Sequence, residues 1–121
     1  MAVLSDILVA FVGLEHVYIL VLEMFLWTRP IGRRAFGMNL EQAMATKVLA
    51  ANQGLYNGFL AAGLFWSVNA TDPAFALQLK LFFLGCVLVA ALYGGATASR
   101  RILLIQGLPA LVALIFVILA S

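Results

Sequence analysis

Apolar residues run almost unbroken from Val3 to Trp27, and the run stops at Thr28-Arg29-Pro30, where a charge cluster and a proline end a helix. Three further apolar stretches follow, at about 42–68, at about 75–97 after Asp72-Pro73, and at about 102–119. A helix needs about 20 residues to cross a bilayer, so each stretch is long enough for one crossing. The pattern predicts an all-α, polytopic membrane protein: a four-transmembrane-helix bundle forming a single membrane domain over residues 1–121. Pro109 falls inside the last stretch, where a kink is expected rather than a break, because neighbouring helices satisfy the freed carbonyl.

Composition strengthens this reading. The chain is 65% hydrophobic and 10% charged, with a mean hydropathy of +1.12, against about 45–50% and 25% in soluble domains. Arg29, Arg33 and Arg34 follow the first span and Arg100 and Arg101 the third, while Met1–Ser5 and 69–74 carry no Lys or Arg. The positive-inside rule then puts both basic loops in the cytoplasm and both termini outside, as expected for a multi-pass protein of the cell (inner or plasma) membrane. The net charge of +2 bears on topology and anionic headgroups and gives no reason to expect nucleic acid. Lys80, near the outer end of span three, is expected to snorkel toward Asp72. The first segment lacks a basic n-region and carries Asp6, so it is read as a span that stays in the mature protein. The single Cys86 reads as a small buried thiol.

The polar residues inside the spans are the candidate chemistry. At 100° per residue Glu15, Glu23 and His16 fall at about 0°, 80° and 100°, on one face of the first helix. Insertion scales charge roughly 2.5–3.5 kcal/mol for an ionised group at the bilayer centre, so this face should look toward protein or trapped water. Span two carries Asn52, Gln53, Tyr56 and Asn57 on a broad face, together with the small residues Gly54, Gly58 and Gly63 that admit a neighbouring backbone. Counting 1.5 Å per residue from the cytoplasmic ends puts Glu15 and Tyr56 both about 20 Å deep. Two layers result. The central one holds Glu15, His16, Asn52, Gln53, Tyr56 and Asn57; the inner one holds Lys47, Tyr93, Thr97 and Gln106, with Glu23 as a partner for Lys47.

Glu15-His16-Val17-Tyr18-Ile19, Glu23-Met24-Phe25-Leu26-Trp27 and the run Asn52 to Gly63 resemble the small membrane proteins grouped as domain-of-unknown-function 1304. The resemblance spans most of the chain and implies four transmembrane helices, with no settled activity to carry over. A weaker similarity, at the level of architecture, is to the MAPEG family of eicosanoid and glutathione enzymes, whose second helix carries an Arg-x-His-x-Asn-x-x-Glu pattern. That pattern falls here on Ala50, Asn52, Gly54 and Asn57, and none of the four residue types matches. The similarity implies a trimer and puts glutathione chemistry in doubt.

Three functions are consistent with these residues. The polar layer binds a small polar ligand or ion, a proton included, with Glu15 titrating, His16 as relay and the amides as neutral ligands. Alternatively, a MAPEG-like bundle processes or binds a lipophilic molecule. In the third reading the protein is an interaction subunit in which Asn and Gln act as interhelical glue. Glu15 and Glu23 stand two turns apart, too far for one metal ion to touch both without distortion, and no metal or cofactor is assigned. The small-residue surface of span two predicts a homo-oligomer.

Overall fold

The computed structural model describes residues 1–121 and is helical throughout, without strands. The helices are α1 (Ala2–Met24), α2 (Pro30–Phe36), α3 (Leu40–Asn69), α4 (Pro73–Thr97), α5 (Arg100–Ile102) and α6 (Leu108–Ala120), with a π-helical turn at Leu103–Gly107 between the last two. Three segments are long and apolar enough to cross a membrane: α1, α4, and the continuous run Arg100–Ala120. Large apolar side chains on their outer faces, such as Val3, Phe82, Leu104 and Leu119, are more than half exposed, which suits lipid rather than water as the surrounding solvent. α3 is the longest helix at 30 residues, but Glu41, Lys47 and its amides keep it outside that apolar class.

The element boundaries have local causes. α1 ends at Met24, where the Phe25 and Leu26 amides both turn back to the Val21 carbonyl. Pro30 starts a new helix instead of merely stopping the old one: Arg29 is extended and proline occupies the first turn, where its missing N–H costs nothing. Gly37, at φ 65°, closes α2 in the left-handed conformation that glycine adopts without penalty. Asn39 and Gln42 then cap α3 reciprocally, the Gln42 amide donating to Asn39 Oδ1 at 2.8 Å and the Asn39 amide to Gln42 Oε1 at 3.0 Å. Asp72 accepts from the Phe75 amide at 3.0 Å and Pro73 opens α4.

Pro109 produces something other than the expected simple kink. The helix widens ahead of it into the π turn, where the Leu108 amide reaches five residues back to the Leu103 carbonyl, and α6 carries on through the proline.

Contacts gather the residues into two compact units, one of Met1–Glu15 with Leu60–Ser121 and one of His16–Phe59. The core of the first is Val9, Val12, Leu64, Leu84, Val87, Ala110, Ala113 and Val117. Gly63 lies against the Phe83 ring and Gly13 against the Phe65 ring, so both glycines admit aromatics. Lys80 is paired with Asp6 in this unit, not with Asp72, whose carboxylate is occupied in capping α4. In the second unit Ile19, Leu22, Ala43 and Ala50 are buried, and Gly32 sits on the Leu26 carbonyl with no space for a Cβ.

Candidate functional site

In the His16–Phe59 unit, α1 and α3 meet through glycines. A Cβ on Gly54 would lie 2.6 Å from Met24 Cγ and 3.0 Å from Glu23 Cβ, and one on Gly58 would lie 2.6 Å from Leu20 Cδ1. This closeness lets Asn57 Nδ2 donate to Glu23 Oε1 at 2.5 Å across the two helices. Glu23 is 3% exposed. A hydrogen bond to a carboxylate is worth about 1.5–3 kcal/mol, enough to hold this carboxyl in one orientation.

The buried carboxyl borders an open cleft of about 360 Å³ that it shares with Trp27, Thr28, Lys47 and Asn52. That volume lies in the range of about 300–1,000 Å³ typical of ligand pockets. Lys47 is exposed and forms no ion pair with Glu23, although both face the same space. Asn52 gives its Nδ2 to the Val48 carbonyl at 3.1 Å, leaving its own carbonyl oxygen as an acceptor. Trp27 is fixed: its Nε1 donates to Thr46 Oγ1 at 3.0 Å, and its ring lies 4.8 Å from that of Phe36. A second cleft, of about 540 Å³, lies beside Trp27 and is lined by Phe36, Met38, Thr46, Leu49 and Gln53.

Asn57, expected in the central layer, stands beside Glu23. The expected Glu23–Lys47 pair is replaced by Glu23–Asn57. Residue 42, the expected start of span two, is not level with the end of span one. In fact the last turn of α1 meets α3 at Gly54 to Asn57, leaving Leu40–Gln53 to run about 20 Å before that contact.

Asn52, Gln53 and Tyr56 are exposed, while His16 is buried and Glu15 half-buried with its Oε1 lacking a hydrogen-bond partner. Tyr93 and Thr97 are exposed, the Thr97 hydroxyl donating to the Tyr93 carbonyl, and Gln106 is half-buried. Tyr93, Thr97 and Gln106 belong to the other unit from Lys47. Of the four positions matched to the MAPEG pattern, Ala50 is buried, Gly54 and Asn57 are taken up in seating α3 on α1, and Asn52 faces outward. Trp27 and Thr28 are the cleft residues that sequence reading passed over, because they look like the end of a span. The signal available was a tryptophan directly before the run Thr28-Arg29-Pro30.

The sequence model of a family described as "Protein of unknown function (DUF1304)" matches residues 10–118. The chain is 35% identical over 117 residues to the uncharacterized protein YpaA of Lactococcus lactis subsp. lactis (strain IL1403), which covers 95% of this chain and 97% of that protein. No solved structure matches.

Proposed function

This chain belongs to the DUF1304 family of proteins of unknown function, and on that premise we propose that it is an integral membrane protein that binds a small polar ligand in the cleft at the C-terminal end of α1. The observation that carries this reading is a buried carboxyl, held by Asn57, that opens on the same cleft as an unpaired ammonium, Lys47, and a free amide oxygen, that of Asn52. Acid, base and amide at one cleft are the few convergent polar groups that a ligand site requires.

In this reading α3 is a fourth crossing beside the three apolar spans, both termini face outward, and the basic segment after α1 is cytoplasmic. With α1 as a span, Leu40–Gln53 then project toward the cytoplasm, and the cleft sits at the inner interface, where water and headgroups reach it. That placement also accounts for the low apolarity of α3, because Glu41, Lys47, Asn52 and Gln53 need not sit in hydrocarbon. The wider cleft, walled by Trp27, Phe36, Met38 and Leu49, favours a second reading in which the ligand has a lipophilic portion.

A thermal-shift screen of small polar metabolites and ions against protein in phosphatidylcholine nanodiscs tests the function. At least one compound should stabilise the wild type and fail to stabilise both Glu23→Gln and Lys47→Met. A screen in which no compound does so removes the reading.

A further inference from the structure

We propose that the cleft is built for a zwitterion, a primary ammonium joined through a short linker to an anionic group such as phosphate or carboxylate. The proposal rests on the ligand-site reading above and specifies the class of ligand. The acid Glu23 and the base Lys47 border one space of about 360 Å³, yet they do not pair with each other. Each therefore has capacity left for an outside group. Asn57 occupies one oxygen of the Glu23 carboxyl, which leaves the second for a donor in the cleft. The Asn52 amide gives one N–H to the Val48 carbonyl, and its carbonyl oxygen remains as an acceptor.

Two acceptors near an aromatic wall suit an ammonium with hydrogens to give, and Trp27, pinned by Thr46, provides a fixed ring that such a cation can approach. Lys47 supplies the positive charge for the anionic end, and the Thr28 hydroxyl a further donor. A quaternary ammonium has no N–H for the two acceptors and should be discriminated against. The same chemistry is offered by a free phosphoethanolamine-like molecule and by a phosphatidylethanolamine headgroup.

Protein in phosphatidylcholine nanodiscs, titrated with O-phosphoethanolamine, ethanolamine, inorganic phosphate and phosphocholine while Trp27 fluorescence is followed in a Trp66→Phe background, tests this. O-phosphoethanolamine should bind at least tenfold tighter than each of the other three. Lys47→Met, at an exposed position that leaves the fold intact, should remove at least tenfold of that affinity, and Glu23→Gln, which keeps an oxygen for Asn57, should do the same. Repeating the titration in phosphatidylethanolamine nanodiscs separates the two sources: loss of the signal by competition points to the lipid headgroup, and an unchanged signal to a free solute. Equal binding of ethanolamine or phosphate alone, or full affinity in Lys47→Met, overturns the zwitterion. If the metabolite screen meanwhile finds a singly charged ligand lost in both variants, the ligand-site reading stands without it.

Discussion

Lys80 of α4 donates to Asp6 of α1 at 2.5 Å, joining residues that lie far apart in sequence and tying the start of the chain to the middle of its apolar unit. The Lys80 side chain is 15% exposed and that of Asp6 46%, so the pair is wet on the acid side and its worth must be discounted for screening. A coupling energy of about 0.5–1 kcal/mol is expected from a double-mutant cycle with Lys80→Met and Asp6→Asn, read by unfolding in mixed micelles. Coupling to Asp72 in the same cycle should be near zero, since that carboxylate caps α4.

The two glycines of α3 that meet α1 make a sharper prediction. Gly54→Leu places a side chain where Met24 and Glu23 already are, and Gly58→Leu meets Leu20. Overpacking of this kind costs about 1–3 kcal/mol. Gly85→Leu, with nothing within 4 Å of a built Cβ, is the control and should be nearly neutral in the same unfolding assay. Because Gly54, Gly58 and Gly63 are all occupied by contacts within the chain, the loss of stability should not depend on protein concentration. A concentration-dependent loss would instead place these glycines between subunits, as the small-residue pattern alone suggests.

Removing the amide partner of Glu23 should be more damaging than altering the acid. Asn57→Leu leaves a buried carboxyl without its donor, at a cost of about 1–3 kcal/mol, whereas Glu23→Gln retains an acceptor oxygen for Asn57. Thermal unfolding of the two variants in one detergent gives the order directly; a more stable Asn57→Leu protein would mean that the bond contributes nothing to folding.

Local chemistry was readable from the residues that carry it. Asp72-Pro73 marked the start of α4, whereas the first helix closes at Met24, ahead of Thr28-Arg29-Pro30, where Pro30 opens α2. What was not readable was how far one helix slides along another. Hydrophobic pattern fixes where each helix runs, but the register of α1 on α3 is set by which glycine meets which side chain, and here Gly54 meets Met24. That register sets Asn57 beside Glu23, where counting from the helix ends puts Lys47. Lys80 shows the same limit: Asp72, the partner expected from the sequence, is taken up in capping α4, and packing supplies Asp6 instead, 74 residues away.

Orientation is tested by placing thiols in the two loops of opposite charge character. Arg33→Cys and Ala70→Cys, each in a Cys86→Ser background, should react differently with a reagent that does not cross the membrane: in intact cells only the thiol at 70 is modified. Modification at 33 and not at 70 would reverse the topology and place the cleft on the outer face.

The register of α3 makes the last and most discriminating prediction, because Asn52 and Phe59 are both exposed yet should face different solvents. With the end of α1 at the inner interface, position 52 lies just beyond Gly54 on the cytoplasmic side, while position 59 lies about 10 Å further along the helix into hydrocarbon. Thiols react with maleimides as thiolates, which form in water and are suppressed in lipid. In inside-out vesicles Asn52→Cys should therefore be labelled rapidly by a charged maleimide, and Phe59→Cys slowly or not at all, in the same Cys86→Ser background. Equal, slow labelling at both would return Asn52 to the bilayer interior and close the cleft to a soluble ligand, while equal, rapid labelling would show that this part of α3 does not face lipid.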